Sequence, residues 1–134
     1  HGDLGMGKTA LVRALLRSVG ISGAIRSPTY TLCEPYEFSV AGCEWRAMHM
    51  DLYRLSDPEE LEFLGLRDLD EAGSLLLVEW PERGSGMLPK AALRLEIFDR
   101  APLEGRRAVL QAITAAGECW IQALVAEPAV AGYM

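Results

Sequence analysis

Positive charge, paired cysteines and long apolar runs are all scarce in this chain, and each scarcity removes a class of function. Thirteen Lys and Arg against nineteen Asp and Glu leave a net charge of −6, which argues against a domain that grips nucleic acid through its own phosphate-neutralising face. The three cysteines, Cys33, Cys43 and Cys119, are odd in number and never fall in a C-x-x-C pair. Neither a disulfide framework nor a zinc site is indicated, and buried free thiols are the expectation. No apolar run reaches bilayer length and no signal peptide precedes the first motif, so a cytoplasmic protein without membrane contact is expected. Internal repeats are absent as well.

What is present is a chain of 134 residues, half of them hydrophobic, enough for one α/β domain over 1–134 with a real core. Its organising stretch is Gly2-Asp3-Leu4-Gly5-Met6-Gly7-Lys8-Thr9, which satisfies G-x-x-x-x-G-K-[ST] at each fixed position. Such a loop turns tightly on its glycines, aims backbone N–H groups and the positive end of the next helix at a nucleoside triphosphate, sends Lys8 to the β- and γ-phosphates and offers the Thr9 hydroxyl to Mg²⁺. Ala10 stands where many such loops carry a second hydroxyl for the α-phosphate, and its presence weakens binding without abolishing it. A buried strand should feed the loop, yet only His1 precedes Gly2. The expectation is therefore a domain truncated at its N-terminus, in which base specificity is not legible.

Apolar positions Leu11, Val12, Leu15, Leu16 and Val19 recur at helical spacing up to Gly20, which supplies a stop. Ser27-Pro28-Thr29-Tyr30-Thr31-Leu32 reads as the entry to an extended strand running to about Phe38, with a hairpin turn at Gly42 and a return strand over Glu44 to Leu55. Thr29 lies where nucleotide switches place a hydroxyl for the γ-phosphate or metal; it is equally well a β-former beside a proline, and spacing does not separate the two. The return strand alternates Met48, Met50 and Leu52 with His49, Asp51 and Tyr53, so one face is core. The other is either a solvated edge or a catalytic surface, and Asp51 favours the second because an acid near a phosphate loop can hold Mg²⁺ through water or orient an attacking water.

Asp57-Pro58-Glu59-Glu60 is a helix start, with Gly65 as its stop, and a further short helix or turn is expected around Leu69 to Ala72. Leu75-Leu76-Leu77-Val78-Glu79 has the continuous apolar run of a buried parallel strand. Its terminal acid is a candidate Mg²⁺ ligand, and Trp80 either caps the nucleotide or simply packs. Leu93 to Ile97 and Ala108 to Ala112 form a second hairpin about a turn at Pro102 to Gly105, with its arginines as solvated charges, and Glu118 to Val125 closes the chain as a helix.

The ordered set Gly2 to Thr9, Ser27 to Tyr36, His49 to Leu55, Asp57 to Gly65 and Leu77 to Glu82 closely resembles the bacterial TsaE (YjeE) family of ATPases needed for threonylcarbamoyladenosine modification of tRNA. The resemblance is strong over Gly2 to Pro89. It implies a P-loop fold of α/β class, a mixed sheet with a parallel core and antiparallel flanking strands. It also implies ATP and Mg²⁺ as cofactors, with the phosphate loop Gly2, Asp3, Leu4, Gly5, Met6, Gly7, Lys8, Thr9 and Ala10 holding the nucleotide. Lys8 and Asp51 match catalytic positions, Thr9 and Glu79 the metal ligands, and Thr29 and Trp80 contacts at the nucleotide. The implied partners are TsaB- and TsaD-type proteins, with tRNA met indirectly. A small-molecule kinase would use the same loop but need an arginine-rich lid, for which no segment is long enough; a nucleotide-gated assembly module would need no hydrolysis.

Overall fold

A computed structural model describes residues 1–66, 73–101 and 104–127. The chain divides into two compact units, one formed by Gly7–Pro89 and the other by His1–Met6 with Lys90–Met134.

The Gly7–Pro89 unit opens with helix α1, Lys8–Ser18, whose C-terminal turn ends at Val19 before Gly20 takes a left-handed φ of 95°. Leu16 is its fully buried residue, whereas Leu11 and Leu15 remain substantially exposed. Strands β1 (Cys33–Val40) and β2 (Cys43–Asp51) form an antiparallel hairpin, and β3 (Ser74–Glu79) joins β2 in parallel, giving the order β1-β2-β3. Only two residues, Ala41 and Gly42, close the hairpin, and both have positive φ, the requirement of the tight turn whose twist matches its strands.

Both faces of β2 are covered along its second half, residues 47–51, whereas residues 43–46 are exposed. Ala47 points with Leu75, Leu77, Tyr36 and Phe38 into a cluster containing Leu16 and Val12 of α1. Met50 points the other way, with Leu76 and Val78, into a cluster with Leu52, Leu55 and Leu61. Met50, Leu52 and Leu61 are almost wholly removed from water, each worth roughly 1.5–3 kcal/mol of burial. Leu61 is delivered by a short 3₁₀ helix, Pro58–Leu64, which Asp57 caps in a full capping box with Glu60, while Gly65 ends it in the left-handed region.

In the second unit, β4 (Leu93–Asp99) and β5 (Arg106–Ala112) pair antiparallel, and helix α2 (Ala115–Ala126) packs against β5 after an N-cap at Thr114. His1 lies beside β4: its amino group donates to the Leu95 carbonyl at 2.6 Å and its carbonyl accepts from Ile97 N at 3.1 Å. That is the pattern of a parallel strand bridge.

Four expectations need correcting. The segment Ser27 to Leu32 is not strand: Pro28 to Thr31 form a turn, closed by Leu32 N donating to Pro28 O at 2.8 Å, with Leu32 itself at φ 62°. Hydrogen bonds of Thr29, a local one with Ser27 and a long-range one to the Asp51 carboxylate, outweigh the β propensity. The return strand stops at Asp51 rather than Leu55, because the Asp51 carboxylate accepts from Tyr53 N at 3.1 Å and draws the chain into a turn. The closing helix starts at Ala115, three residues ahead of Glu118. Of the three free thiols only Cys33 is partly buried; Cys43 and Cys119 are exposed. The turn expected around Leu69 to Ala72, and Pro102 of the second hairpin turn, lie outside the described residues.

Candidate active site

The glycine-rich segment passes along the chain from one unit to the other between Met6 and Gly7. On the first side, Gly2 has φ 133°, and a Cβ there would stand 2.8 Å from the Ile97 carbonyl oxygen, so only glycine fits that approach. Gly5 is also left-handed at φ 79°, and Met6 N donates to Asp3 O at 3.3 Å. On the second side, Gly7 caps α1 from the left-handed region at φ 91°, its carbonyl accepting from Leu11 N at 2.9 Å. Lys8 and Thr9 are thereby the first residues of the helix, and Ala10, exposed, follows on its next position.

Within the Gly7–Pro89 unit, the alternation of β2 and β3 turns Asp51 and Glu79 toward the α1 side of the sheet. The two are register partners at the carboxyl ends of parallel strands, the end at which open α/β sheets place their ligands. Asp51 and Glu79 are about 95% buried. Thr9 Oγ1 donates to Glu79 Oε2 at 2.9 Å, and His49 Nε2 lies 2.8 Å from Glu79 Oε1. Both oxygens of one buried carboxylate are thus held, by a helix N-terminus on one side and by the neighbouring strand on the other.

Lys8 is buried, and its ammonium lies 4.1 Å over the Trp80 ring, an attraction of roughly 0.5–2 kcal/mol. Trp80 is itself in the left-handed region at φ 56° and packs obliquely on Tyr53, ring centroids 5.0 Å apart. A non-glycine residue in that conformation costs about 1–3 kcal/mol and persists where its surroundings fix it. Thr29 Oγ1 donates to Asp51 Oδ2 at 3.1 Å and lies 2.7 Å from Ser27 Oγ. Asp51 N in turn donates to Leu32 O at 3.1 Å, so the 27–32 turn is fastened to the end of β2 by side chain and main chain together.

Lys8, Thr9, Thr29, Asp51, Glu79 and Trp80 therefore belong to one cluster in this unit, linked by the contacts above. Sequence reasoning placed His49 on the polar face of its strand without a role. Its contact with Glu79 follows from the parallel register of β2 and β3, which strand periodicity alone does not carry. Thr9 and Glu79 offer neighbouring oxygens of the kind a divalent cation takes, although among the described residues no three His, Cys, Asp or Glu side chains gather as a metal cluster. Thr9, while donating to Glu79, keeps hydroxyl lone pairs free, and a separation of 2.9 Å matches the roughly 3 Å between adjacent ligands of an octahedral ion with metal–oxygen distances of about 2.1 Å.

Known proteins carry related sequences. The family model described as "Threonylcarbamoyl adenosine biosynthesis protein TsaE" matches residues 1–109. A tRNA threonylcarbamoyladenosine biosynthesis protein TsaE of Haemophilus influenzae is 50% identical over 97 residues, covering 72% of this chain and 59% of that protein. A Streptomyces coelicolor protein of the same name is 37% identical over 124 residues, covering 91% and 81%. The chain thus spans less than two thirds of the Haemophilus relative. The crystal structure of Bacillus subtilis YdiB superposes with a TM-score of 0.66 at 28% identity, over 92% of this chain and 72% of that one.

Proposed function

Because the chain belongs to the TsaE family, we propose that it supports threonylcarbamoyladenosine formation on tRNA as a slow, Mg²⁺-dependent ATPase working with TsaB- and TsaD-type proteins in the cytoplasm, meeting tRNA only through them. The observation that carries the reading is the hydrogen bond from Thr9, at the head of α1, to the buried Glu79, beside a lysine that follows the phosphate-loop glycines.

In this mechanism the loop amides of Gly2 to Thr9 and the Lys8 ammonium bind the β- and γ-phosphates. Thr9 and Glu79 would hold the metal, which when bound neutralises charge on those phosphates. Asp51, its carboxylate oriented by Thr29 and by Tyr53 N, positions the attacking water. Trp80 walls the site, and Ala10 gives up a hydroxyl contact to the α-phosphate.

The test is ATP turnover by the protein and by Lys8→Ala, Glu79→Gln and Asp51→Asn variants, with and without the two partners. Each substitution is expected to lower the rate on the order of 100-fold or more. Equal rates for parent and Lys8→Ala would overturn the assignment. One observation favours a second reading, a docking surface ordered by nucleotide: Tyr30, adjoining Thr29, is 81% exposed under the guanidinium of Arg54 at 4.5 Å. A non-hydrolysable ATP analogue that sustained repeated rounds of tRNA modification would favour that view.

A further inference from the structure

His49 is an expensive residue for its place. It sits on the central strand at 0% exposure, and its Nδ1 has no hydrogen-bond partner among the described residues. Its register partner Leu77 and its same-face neighbour Ala47 both belong to the apolar cluster against α1. A buried polar atom left without a partner costs on the order of 1–3 kcal/mol, so an apolar side chain would pack there at less cost. The one hydrogen bond the imidazole makes among the described residues is Nε2 to Glu79 Oε1 at 2.8 Å. With no acceptor at Nδ1, the ring proton belongs on Nε2, which donates it to the carboxylate.

We propose that His49 is a positioning residue for the metal site: it ties down one oxygen of Glu79 so that the other, Oε2, is presented with the Thr9 hydroxyl as a one-oxygen ligand. The proposal rests on the reading of Glu79 as a metal ligand. Without the imidazole, the carboxylate is free to rotate about its terminal bond and the 2.9 Å pairing with Thr9 is no longer enforced. Groups that orient metal ligands in this way typically account for about 10–100-fold in metal affinity or activity. They do so without touching the nucleotide.

The experiment measures ATP binding by calorimetry, in EDTA and in saturating Mg²⁺, for the parent and for His49→Gln, His49→Asn and Glu79→Gln. The ratio of the two dissociation constants isolates the contribution of the ion. Gln can bring a terminal N–H to the position of Nε2, whereas Asn is too short, and both are polar replacements of similar cost to folding. The expected result is metal-free affinity within about twofold of the parent in both His49 variants, with the Mg²⁺ enhancement reduced roughly 10–100-fold in His49→Asn and largely restored in His49→Gln. An enhancement lost in Glu79→Gln but intact in His49→Asn would overturn the role of His49 and leave the metal reading standing. An enhancement intact in Glu79→Gln, or absent from the parent, would overturn the metal reading itself. Equal losses in His49→Gln and His49→Asn would show that His49 matters for packing only, and would also overturn the proposal.

Discussion

Glu79 is the residue on which the described polar interior of the Gly7–Pro89 unit converges, and its two partners differ in how far the sequence announced them. Thr9 was legible because a phosphate loop dictates what each position does relative to a triphosphate, and Glu79 because an acid ending an apolar run has few structural reasons to be there. His49 was not, since its role is created by strand pairing between residues thirty positions apart. Trp80 shows the same limit: its place at a strand end was visible, its left-handed backbone was not. Cys33 supplies a test at this scale. Burial, with a smaller contribution from Glu34, raises its thiol pKa from 9.0 to about 11. The folded state therefore resists its ionisation, and the stability this lends is present below about pH 9 and lost as pH rises toward 11. Alkylation at pH 8.5 followed by peptide mass mapping should label the exposed Cys43 and Cys119 first, and Cys33 at least tenfold more slowly unless the protein is unfolded.

Helices and strands with a clear period were recovered from sequence, with ends displaced where a side chain competes for the backbone. The 27–32 segment has the composition of a strand and forms a turn, because Thr29 is held by Ser27 beside it and by the Asp51 carboxylate at the end of β2. At β2 the acid that makes the strand interesting also terminates it. Close packing between elements was invisible for a different reason: glycine is silent about what lies against it. Gly117, near the start of α2, illustrates this, since a Cβ there would come 2.0 Å from the Ala92 carbonyl oxygen, an atom that already accepts from Ile113 N at 2.9 Å. Alanine is the better helix former by about 1 kcal/mol, but the clash is with backbone and costs about 3 kcal/mol or more. Gly117→Ala should therefore destabilise the protein in urea titrations and make α2 sensitive to protease, and an unchanged midpoint would contradict the packing described.

Across the whole molecule, charge and motif order pointed to a member of the TsaE family rather than a nucleic-acid clamp, whereas the division of the chain into two units was not visible. One unit joins His1 to Leu95, a separation of 94 residues, and no window of sequence spans that. A ligand that binds only the folded state adds about 2.7 kcal/mol at a hundredfold excess over its dissociation constant. On the proposed function, ATP with Mg²⁺ at that excess should raise the melting temperature by several degrees in differential scanning fluorimetry, and Lys8→Ala should abolish the shift. Asp51 carries one more implication for the assembled protein. Its carboxylate holds the Thr29 hydroxyl and its amide holds the Leu32 carbonyl, so the loop is tied to the acid at two points. On the proposed function, a partner that pushed on exposed Tyr30 would move the acid that orients water as directly as a lever moves its latch, without any signal having to cross the sheet.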